Sequence, residues 1–310
     1  MAPYDVSGKY AVVTGGGSGI CLDFIKLLLV KGCSVIVGDL ALRPAAEEVA
    51  KAYPHPPAAP GKASLLFHKT DVKSWPQLSS LWNTAVSTFP QVDIVVPGAG
   101  VYEPLESSFW CPPGVEGGPS KDLVDSEAGT YATFGINLIH PIRLSQLAIS
   151  YWTTKKLPGN LLFVGSIAGY TATVGTPYYY SSKAGLHGFV MSLAPLHKRL
   201  GIRVACVAPG ACRTPLWDQE HCKSKLTNND PAVRSDFVAD VMLNMCENDK
   251  YGDGQIVEVM DLGTAQDSKP SVREVPVHLL YPAASGVGVP TLLVEEEKLW
   301  KQLETEGFKA

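Results

Sequence analysis

A glycine-rich turn joins a short apolar run to a helical stripe near the start of the chain. The run Tyr10-Ala-Val-Val-Thr14 is followed by Gly15-Gly16-Gly17-Ser18-Gly19, and the residues from Ile20 to Val30 have the apolar spacing of a helix. A second run rich in β-branched residues covers 34–39. We therefore predict a strand, a tight turn, a helix and a second parallel strand, which together form a βαβ unit.

The same alternation continues along the chain. Strands that are apolar on both faces need helices on both faces of the sheet, because each crossover helix covers one face. The predicted fold is α/β: a single Rossmann-type, doubly wound parallel sheet of about seven strands with helices on both faces and a C-terminal tail. The predicted strands lie at 10–14, 34–39, 65–68, 92–96, 160–164, 202–207 and 256–259, and the helices near 20–30, 44–53, 74–89, 127–155, 180–200 and 235–248.

The domain prediction follows from length and composition. The chain has 310 residues, of which 45% are hydrophobic and only 18% are charged, so one large core is possible. We predict one domain over 1–262, in which a segment at about 214–232 covers the ligand crevice. Residues 263–310 are expected to form an extension that is first extended and then helical, and the Pro/Gly-rich stretch 109–125 is expected to be a surface loop.

Charge and cysteine usage exclude several functions. Lys plus Arg number 26 and Asp plus Glu number 30, so no basic surface favours nucleic acid or an anionic membrane. The N-terminus lacks a basic leader, and the first apolar run is broken by Asp23 and Lys26. The seven cysteines are scattered, without a CxxC pair. We expect reduced thiols, no zinc site and a cytoplasmic location.

The glycine turn and Asp39 together predict a dinucleotide site. Backbone N–H groups and the positive end of a helix dipole meet at such a turn, which suits a pyrophosphate. Asp39 ends the second strand, where a carboxylate accepts hydrogen bonds from an adenosine ribose. A 2′-phosphate would be repelled there, so NAD is the predicted cofactor. Arg43, the nearest basic residue, keeps NADP as the less favoured alternative.

Three consecutive tyrosines precede Lys183, and only some of them share its helix face. Tyr179 and Lys183 form an i,i+4 pair, whereas Tyr180 and Lys183 form the weaker i,i+3 pair. A phenol with an ordinary pKa of about 10 is a poor base at neutral pH, so a neighbouring cation would help it to lose a proton. The alternative is that the two side chains only share a helix surface.

Two further polar residues fit a site at the carboxyl edge of the sheet. Ser166 follows the strand 160–164, so its hydroxyl is expected to project into the crevice. Asn137 lies in the apolar stretch Gly135-Ile136-Asn137-Leu138. Because buried amides need partners, a hydrogen bond between helices is the alternative explanation for Asn137.

These motifs resemble the short-chain dehydrogenase/reductase family over roughly residues 6–260. The resemblance lies in Thr14-Gly15-x-x-x-Gly19-Ile20, in Pro97-Gly98-Ala99-Gly100 and in the ordered Asn137, Ser166, Tyr179 and Lys183. It is strongest toward the NAD-dependent branch that includes 15-hydroxyprostaglandin dehydrogenase and fungal alcohol dehydrogenases of secondary metabolism. The cofactor-binding residues that it implies, with Asp39, are Gly15, Gly17, Ser18, Gly19, Ile20, Leu40, Asp71, Val72, Gly98, Ala99, Gly100, Tyr179, Lys183, Pro209, Gly210 and Thr214.

The resemblance also implies roles for a catalytic tetrad. Tyr179 would exchange a proton with the substrate, Lys183 would lower the phenol pKa and hold the nicotinamide ribose, and Ser166 would orient the substrate oxygen. Asn137 would hold a water that connects Lys183 to solvent. Members of the family commonly form oligomers. The resemblance therefore implies a homodimer or homotetramer that associates through the helices 127–155 and 180–200.

Two residues depart from the family pattern. Cys21 stands where the family usually has a third glycine, and Pro97 stands where it has an asparagine. A cysteine in the first helical turn is expected to crowd the helix against the strand or to push toward the cofactor. Pro97 lacks an N–H group.

The expected reaction is the reversible, NAD-dependent oxidation of a bulky apolar secondary alcohol to a ketone. Tyr102, Tyr170, Val174 and Trp217 are the expected substrate walls, because aromatic and apolar residues suit such a molecule. An NADP(H)-dependent ketone reductase of secondary metabolism is the first alternative. A dehydrogenase-like scaffold with a binding or non-redox role is the second alternative. The departures from the family pattern at Cys21 and Pro97 favour it.

Overall fold

The computed structural model describes residues 4–126, 128–218, 222–276 and 290–309. Ten strands and nine helices are found in these ranges. The strands are β1 (Tyr10–Thr14), β2 (Ser34–Asp39), β3 (Leu65–Lys69), β4 (Ile94–Pro97), β5 (Gly159–Val164), β6 (Ile202–Pro209), β7 (Cys212–Arg213), β8 (Val233–Arg234), β9 (Asp253–Asp261) and β10 (Pro270–Glu274). The helices are α1 (Gly19–Val30), α2 (Pro44–Ala52), α3 (Trp75–Thr88), α4 (Ala132–Phe134), α5 (His140–Lys155), α6 (Pro177–Ser192), α7 (Pro195–Leu200), α8 (Ser235–Glu247) and α9 (Pro290–Thr305).

Eight of the strands form one sheet in the order β10-β9-β6-β5-β4-β1-β2-β3. All neighbours in it are parallel except β10, which runs antiparallel to β9. The predicted doubly wound α/β fold is therefore confirmed. The additional strand, β10, comes from the tail. Its side chains are mostly exposed, so it lacks the apolar pattern that identifies the buried strands, and it joins the edge of the sheet through backbone hydrogen bonds.

The hydrophobic core lies on both sides of the sheet. On one face, Phe24 and Leu28 of α1 pack with Met242 of α8. On the other face, Leu144 of α5 and Leu186 of α6 pack against the strands with residues of α3. Each central strand is buried on both faces, which explains its continuous apolar run. No helix in the described ranges has the length and apolar composition that a membrane span needs.

Two predicted helices are divided in the structure. The stretch predicted at 127–155 becomes α4, a π-type turn at Gly135–Ile139 and then α5. The stretch predicted at 180–200 starts earlier, because Pro177 occupies the first turn of α6, and it is interrupted before Pro195, which starts α7. Proline is favoured in a first turn, where its missing N–H group is not needed.

The tail packs against the domain at two places. The strand β10 extends the sheet, and α9 lies against α7, with Trp300 and Leu303 buried. Phe308, which follows α9, bonds to Ser150 and Thr153 of α5. The Lys156 Nζ donates to the Glu304 carbonyl at 2.6 Å, and Arg199 pairs with Glu297 at 2.7 Å. The extension thus contributes contacts to both the sheet and the helical layer.

Candidate active site

The strand order reverses between β1 and β4, and a crevice opens at their carboxyl ends. A cavity of 440 Å³ occupies this crevice and runs along the ends of the central strands. Nearly all of the residues that the sequence predicts for dinucleotide binding line it. They are Gly15, Ser18, Gly19, Ile20, Asp39, Leu40, Asp71, Val72, Gly98, Ala99, Gly100, Tyr179, Lys183, Pro209, Gly210 and Thr214.

The glycine turn brings the backbone closer than side chains would allow. Gly15 has φ +74°, and a Cβ there would lie 2.7 Å from the Cα of Ala99. A Cβ at Gly17 would lie 2.3 Å from the carbonyl oxygen of Ala41. The turn therefore lies close to the loop after β4. Together with the start of α1, this close backbone approach forms the cradle that a pyrophosphate requires.

Asp39 is held at the end of β2 by two backbone N–H groups. Its Oδ2 accepts from the N–H of Gly17 at 2.8 Å, and its Oδ1 accepts from the N–H of Leu40 at 2.7 Å. Gly17 thus supports the carboxylate rather than lining the cavity. Arg43 also lines the cavity, but its guanidinium lies 2.5 Å from the carboxylate of Asp218. Its charge is therefore already paired.

A buried hydrogen-bond network fixes the loop after β4. The fully buried His140 contacts the Ile136 carbonyl through Nδ1 at 3.0 Å and the Thr14 hydroxyl through Nε2 at 2.9 Å. Since a carbonyl only accepts, Nδ1 carries the proton and Nε2 accepts from Thr14. Burial lowers the pKa of His140 to about 4, so the ring is neutral. The Thr14 oxygen in turn accepts from Gly98 N–H at 3.1 Å. Gly98, which makes this bond, directly follows Pro97, the last residue of β4.

Ser166, Tyr179 and Lys183 line the cavity and lie close to one another. The Ser166 hydroxyl donates to the Pro209 carbonyl at 3.3 Å and accepts from Ala168 N–H at 3.1 Å. The Lys183 Nζ donates to the Val164 carbonyl at 2.9 Å and lies 5.9 Å from the centroid of the Tyr179 ring. The i,i+4 spacing on α6 therefore brings the two side chains together.

Burial dominates the ionisation of this group. It raises the pKa of Tyr179 to about 12, while a hydrogen bond with Ser166 acts in the opposite direction. It lowers the pKa of Lys183 to about 8. At neutral pH the Tyr179 phenol therefore keeps its proton, and Lys183 remains mostly cationic. The desolvation of the phenol outweighs the lowering of its pKa that we expected from Lys183.

The other two tyrosines of the triplet face elsewhere. Tyr178 packs in an outer aromatic cluster, with ring centroids 5.3 Å from Phe134 and 4.6 Å from Tyr131. Tyr180 shares a hydrogen bond with Thr171. Tyr179 is thus the member of the triplet that lines the cavity.

Asn137 is buried in the π-type turn and joins three segments. Its Oδ1 accepts from Val101 N–H at 2.9 Å, and its Nδ2 donates to the Val101 carbonyl at 2.9 Å and to the Ser182 hydroxyl at 3.2 Å. The side chain therefore ties the loop after β4 to α6. This is the bridging arrangement that we gave as the alternative for a buried amide.

The expected substrate walls separate into two groups. The Tyr102 ring lies between Tyr179 and Trp217, with centroid distances of 4.6 Å and 4.9 Å. Trp217 lines the cavity together with Leu216, Val101 and Ile136. The Tyr170 hydroxyl instead donates to Glu258 at 2.6 Å. Val174 is 74% exposed. Of the four expected walls, Trp217 lines the cavity, whereas Tyr102, Tyr170 and Val174 are not among its lining residues.

The sequence analysis missed Glu103, and it favoured a helix-surface position for His140, which is wrong because His140 is fully buried. Glu103 is 2% exposed, and its Oε2 accepts from the N–H of Tyr179 at 3.0 Å. The position of His140 directly before Pro141 in an apolar helix was a signal of burial. Nothing in the spacing of Glu103 indicates its partner, which is 76 positions away.

Comparisons with known proteins agree with this geometry. A family model described as short chain dehydrogenase matches residues 9–224. A cis-4-hydroxycyclohexanecarboxylate dehydrogenase from Sinomonas cyclohexanicum is 30% identical over 214 residues, which are 67% of this chain and 75% of the relative. The 15-hydroxyprostaglandin dehydrogenase of Homo sapiens, whose name specifies NAD(+), is 29% identical over 217 residues, which are 69% of this chain and 71% of the relative.

A solved structure supports the fold. The crystal structure of a short-chain type dehydrogenase/reductase from Mycobacterium marinum superposes with a TM-score of 0.66 at 20% identity, over 82% of this chain and 94% of that one. The resemblance seen in the motifs is thereby confirmed. With a family match over residues 9–224, and with Ser166, Tyr179 and Lys183 lining the same cavity as the glycine turn, the chain belongs to the short-chain dehydrogenase family of NAD(P)-linked oxidoreductases.

Proposed function

We propose that the protein catalyses the reversible, NAD-dependent oxidation of a bulky apolar secondary alcohol to a ketone. The observation that carries the proposal is that one cavity is lined both by Asp39 and by Ser166, Tyr179 and Lys183. Such a cavity can hold a dinucleotide by its ribose while a substrate oxygen lies against the phenol.

The residues of the cavity fit a nicotinamide dinucleotide. The glycine turn supplies the close backbone approach for a pyrophosphate, Asp39 would accept from the adenosine ribose, and Lys183 would hold the nicotinamide ribose. When bound, the dinucleotide supplies the acceptor for the hydride. We further propose that Asp71 and Val72 contact the adenine, and that Pro209, Gly210 and Thr214 surround the carboxamide.

The protein side chains would handle the proton and the substrate oxygen. The Tyr179 phenol would exchange the proton with the substrate oxygen, and the Ser166 hydroxyl would donate to that oxygen and orient it. Ionised Lys183 near the phenol would favour its loss of a proton. Asn137 would keep α6 against the loop after β4, so that these groups retain their spacing.

The apolar walls support a substrate without a charge near the reacting carbon. Val101, Ile136, Leu216 and Trp217 line the cavity, and Tyr102 stacks between Trp217 and Tyr179. A ring-containing or long-chain alcohol would bury apolar surface here. The segment at 214–232 would cover it, in a domain of residues 1–262 extended by the tail.

The NADP(H)-dependent reductase is less well supported. Arg43 is the cation nearest to Asp39 along the chain, and its pairing with Asp218 leaves less charge for a 2′-phosphate. The non-redox scaffold would have no use for three convergent groups that can transfer a proton. We also propose a cytoplasmic homodimer or homotetramer that associates through α5 and α6.

The test combines binding and turnover. Dinucleotide binding would be followed by the fluorescence of reduced cofactor, and a panel of secondary alcohols would be monitored by its absorbance. NAD-dependent turnover of apolar alcohols is expected. Tight NADH binding without turnover of any alcohol or ketone would favour the scaffold, and a preference for NADP(H) would favour the reductase.

A further inference from the structure

Glu103 has three hydrogen-bond donors directed at its buried carboxylate. Its Oε1 accepts from the Ser108 hydroxyl and from Phe109 N–H, both at 3.0 Å, and its Oε2 accepts from Tyr179 N–H at 3.0 Å. The residue is 2% exposed. A buried carboxylate is stable when hydrogen bonds replace its water, so all three donors are needed.

The bond to the Tyr179 N–H caps the start of α6, the helix that carries Tyr179 and Lys183. The first N–H groups of a helix lack partners within it and are normally capped by a side chain just before the helix. Thr176, at that position of α6, makes no such hydrogen bond. Glu103 therefore supplies the cap from another segment, and it does so at the residue that carries the phenol.

The segment around Glu103 is fixed from both sides. Val101, two residues earlier, exchanges two hydrogen bonds with Asn137. Glu103 itself has φ +38°, in the left-handed region that residues with side chains disfavour. Such a conformation persists where the surroundings impose it, and it is concentrated at functional sites. The three bonds of its carboxylate are what hold it here.

We infer that Glu103 is a positioning residue that keeps the Tyr179 phenol in register with the Ser166 hydroxyl. The inference rests on the proposed function insofar as it concerns turnover. Without the cap, the first turn of α6 shifts relative to the Ser166 turn, and the hydrogen bond that lowers the pKa of Tyr179 weakens. The same shift moves Tyr102, which stacks on Tyr179 at 4.6 Å.

The test compares Glu103→Gln with Glu106→Gln. Glutamine keeps the volume of Glu103, but only one end of its amide, the oxygen, can accept hydrogen bonds. At least one of the three donors is therefore left facing the NH₂ group. Glu106 is the matched control, because it lies on the same segment with a half-exposed carboxylate near Lys121 at 3.4 Å. Thermal unfolding and the stoichiometry of NADH binding establish that both variants are folded.

We expect Glu103→Gln to lower kcat by about tenfold or more, as for the loss of one hydrogen bond to a charged acceptor. Its Kd for NADH should stay within about twofold. The pKa below which kcat for alcohol oxidation falls should rise, because the phenol must lose its proton to act as the base and the Ser166 bond that lowers its pKa is weakened. Glu106→Gln should match the wild type. A lower kcat with an unchanged pH profile, or equal effects in both variants, would overturn the inference.

A second measurement does not depend on turnover. In protein labelled with [ζ-13C]tyrosine, the Tyr179 signal is assigned from its loss in Tyr179→Phe. Glu103→Gln should move this signal toward its position in Ser166→Ala, whereas Glu106→Gln should leave it in place. If the signal does not move in Glu103→Gln, the positioning role is refuted, even if no alcohol is oxidised. If the signal moves in Glu103→Gln but the wild type oxidises no alcohol, only the proposed reaction is refuted.

Discussion

The sulfur of Cys21 occupies the space that a side chain at position 98 would need. A Cβ added to Gly98 would lie 2.3 Å from the Cys21 Sγ. Cys21 is 4% exposed, and burial raises the pKa of its thiol to about 12. The cysteine that replaces a family glycine in α1 is thus packed against a glycine in the β4 loop, where the thiol is neutral and unreactive at neutral pH.

This relationship predicts strong coupling between positions 21 and 98. Gly98→Ala should destabilise the protein and weaken dinucleotide binding, because the methyl group would clash with the sulfur. Cys21→Gly should also be destabilising by itself, by about 1 kcal/mol or more, since glycine disfavours helix and the lost thiol leaves a void.

A double-mutant cycle measured by urea unfolding tests the coupling. The combination of Cys21→Gly with Gly98→Ala should be more stable than the sum of the single effects, by at least about 0.5 kcal/mol. Additive effects would mean that the two positions do not share this space. Tighter NADH binding in Cys21→Gly alone would show that the thiol crowds the cofactor, as the sequence suggested.

Tyr179→Phe should abolish nearly all turnover and leave NADH binding intact. The substitution removes the transferable proton but very little volume. Tyr178→Phe and Tyr180→Phe are the controls, because neither residue lines the cavity, and they should retain most of the activity. Steady-state kcat and fluorescence titration of NADH measure the two effects. An active Tyr179→Phe protein would rule out Tyr179 as the residue that exchanges the proton with the substrate.

Asp39 should give NAD(H) a preference of about 10- to 100-fold in kcat/KM. Hydrogen bonds to a charged group contribute about 1.5–3 kcal/mol, and about 1.4 kcal/mol corresponds to a factor of ten. Asp39→Ala should reduce the preference. Asp218→Asn should reduce it too, because it releases Arg43 from its ion pair. A wild-type preference for NADP(H), measured with one alcohol, would contradict the assignment.

The Glu258–Arg273 pair predicts a pH-dependent contribution to stability. Hydrogen bonds from Arg273 hold the pKa of the Glu258 carboxyl below its ordinary value. Because the folded-state pKa is the lower one, this stabilisation is present above the unfolded-state pKa of about 4.3 and is lost as the pH falls through the folded-state value.

Arg273→Met should therefore lower the free energy of unfolding at pH 7, and the difference from wild type should shrink as the pH falls below about 4. Lys269→Met is the control, because Lys269 pairs with the exposed Asp267 on the same tail. Urea unfolding at several pH values measures both. A difference that stays constant with pH would show that Arg273 acts through packing rather than through charge.

Short-range patterns in the sequence determined the fold and the principal site. Apolar runs identified the buried strands, the glycine turn placed the start of α1, and the position of Asp39 at the end of a strand placed it in the crevice. The spacing of Tyr179 and Lys183 brought both onto one face of α6. Each of these features depends on residues within about one helical turn or one strand, so the local sequence contains it.

Only the tertiary structure decided which distant residues meet. Glu103 caps α6 across 76 positions, and Tyr170 bonds to Glu258 across 88 positions, away from the cavity. The strand β10 joins the sheet with side chains that are mostly exposed. Such contacts have no periodicity and depend on how the elements pack, because hydrogen bonds between segments are set by backbone positions in three dimensions rather than by neighbours in the chain.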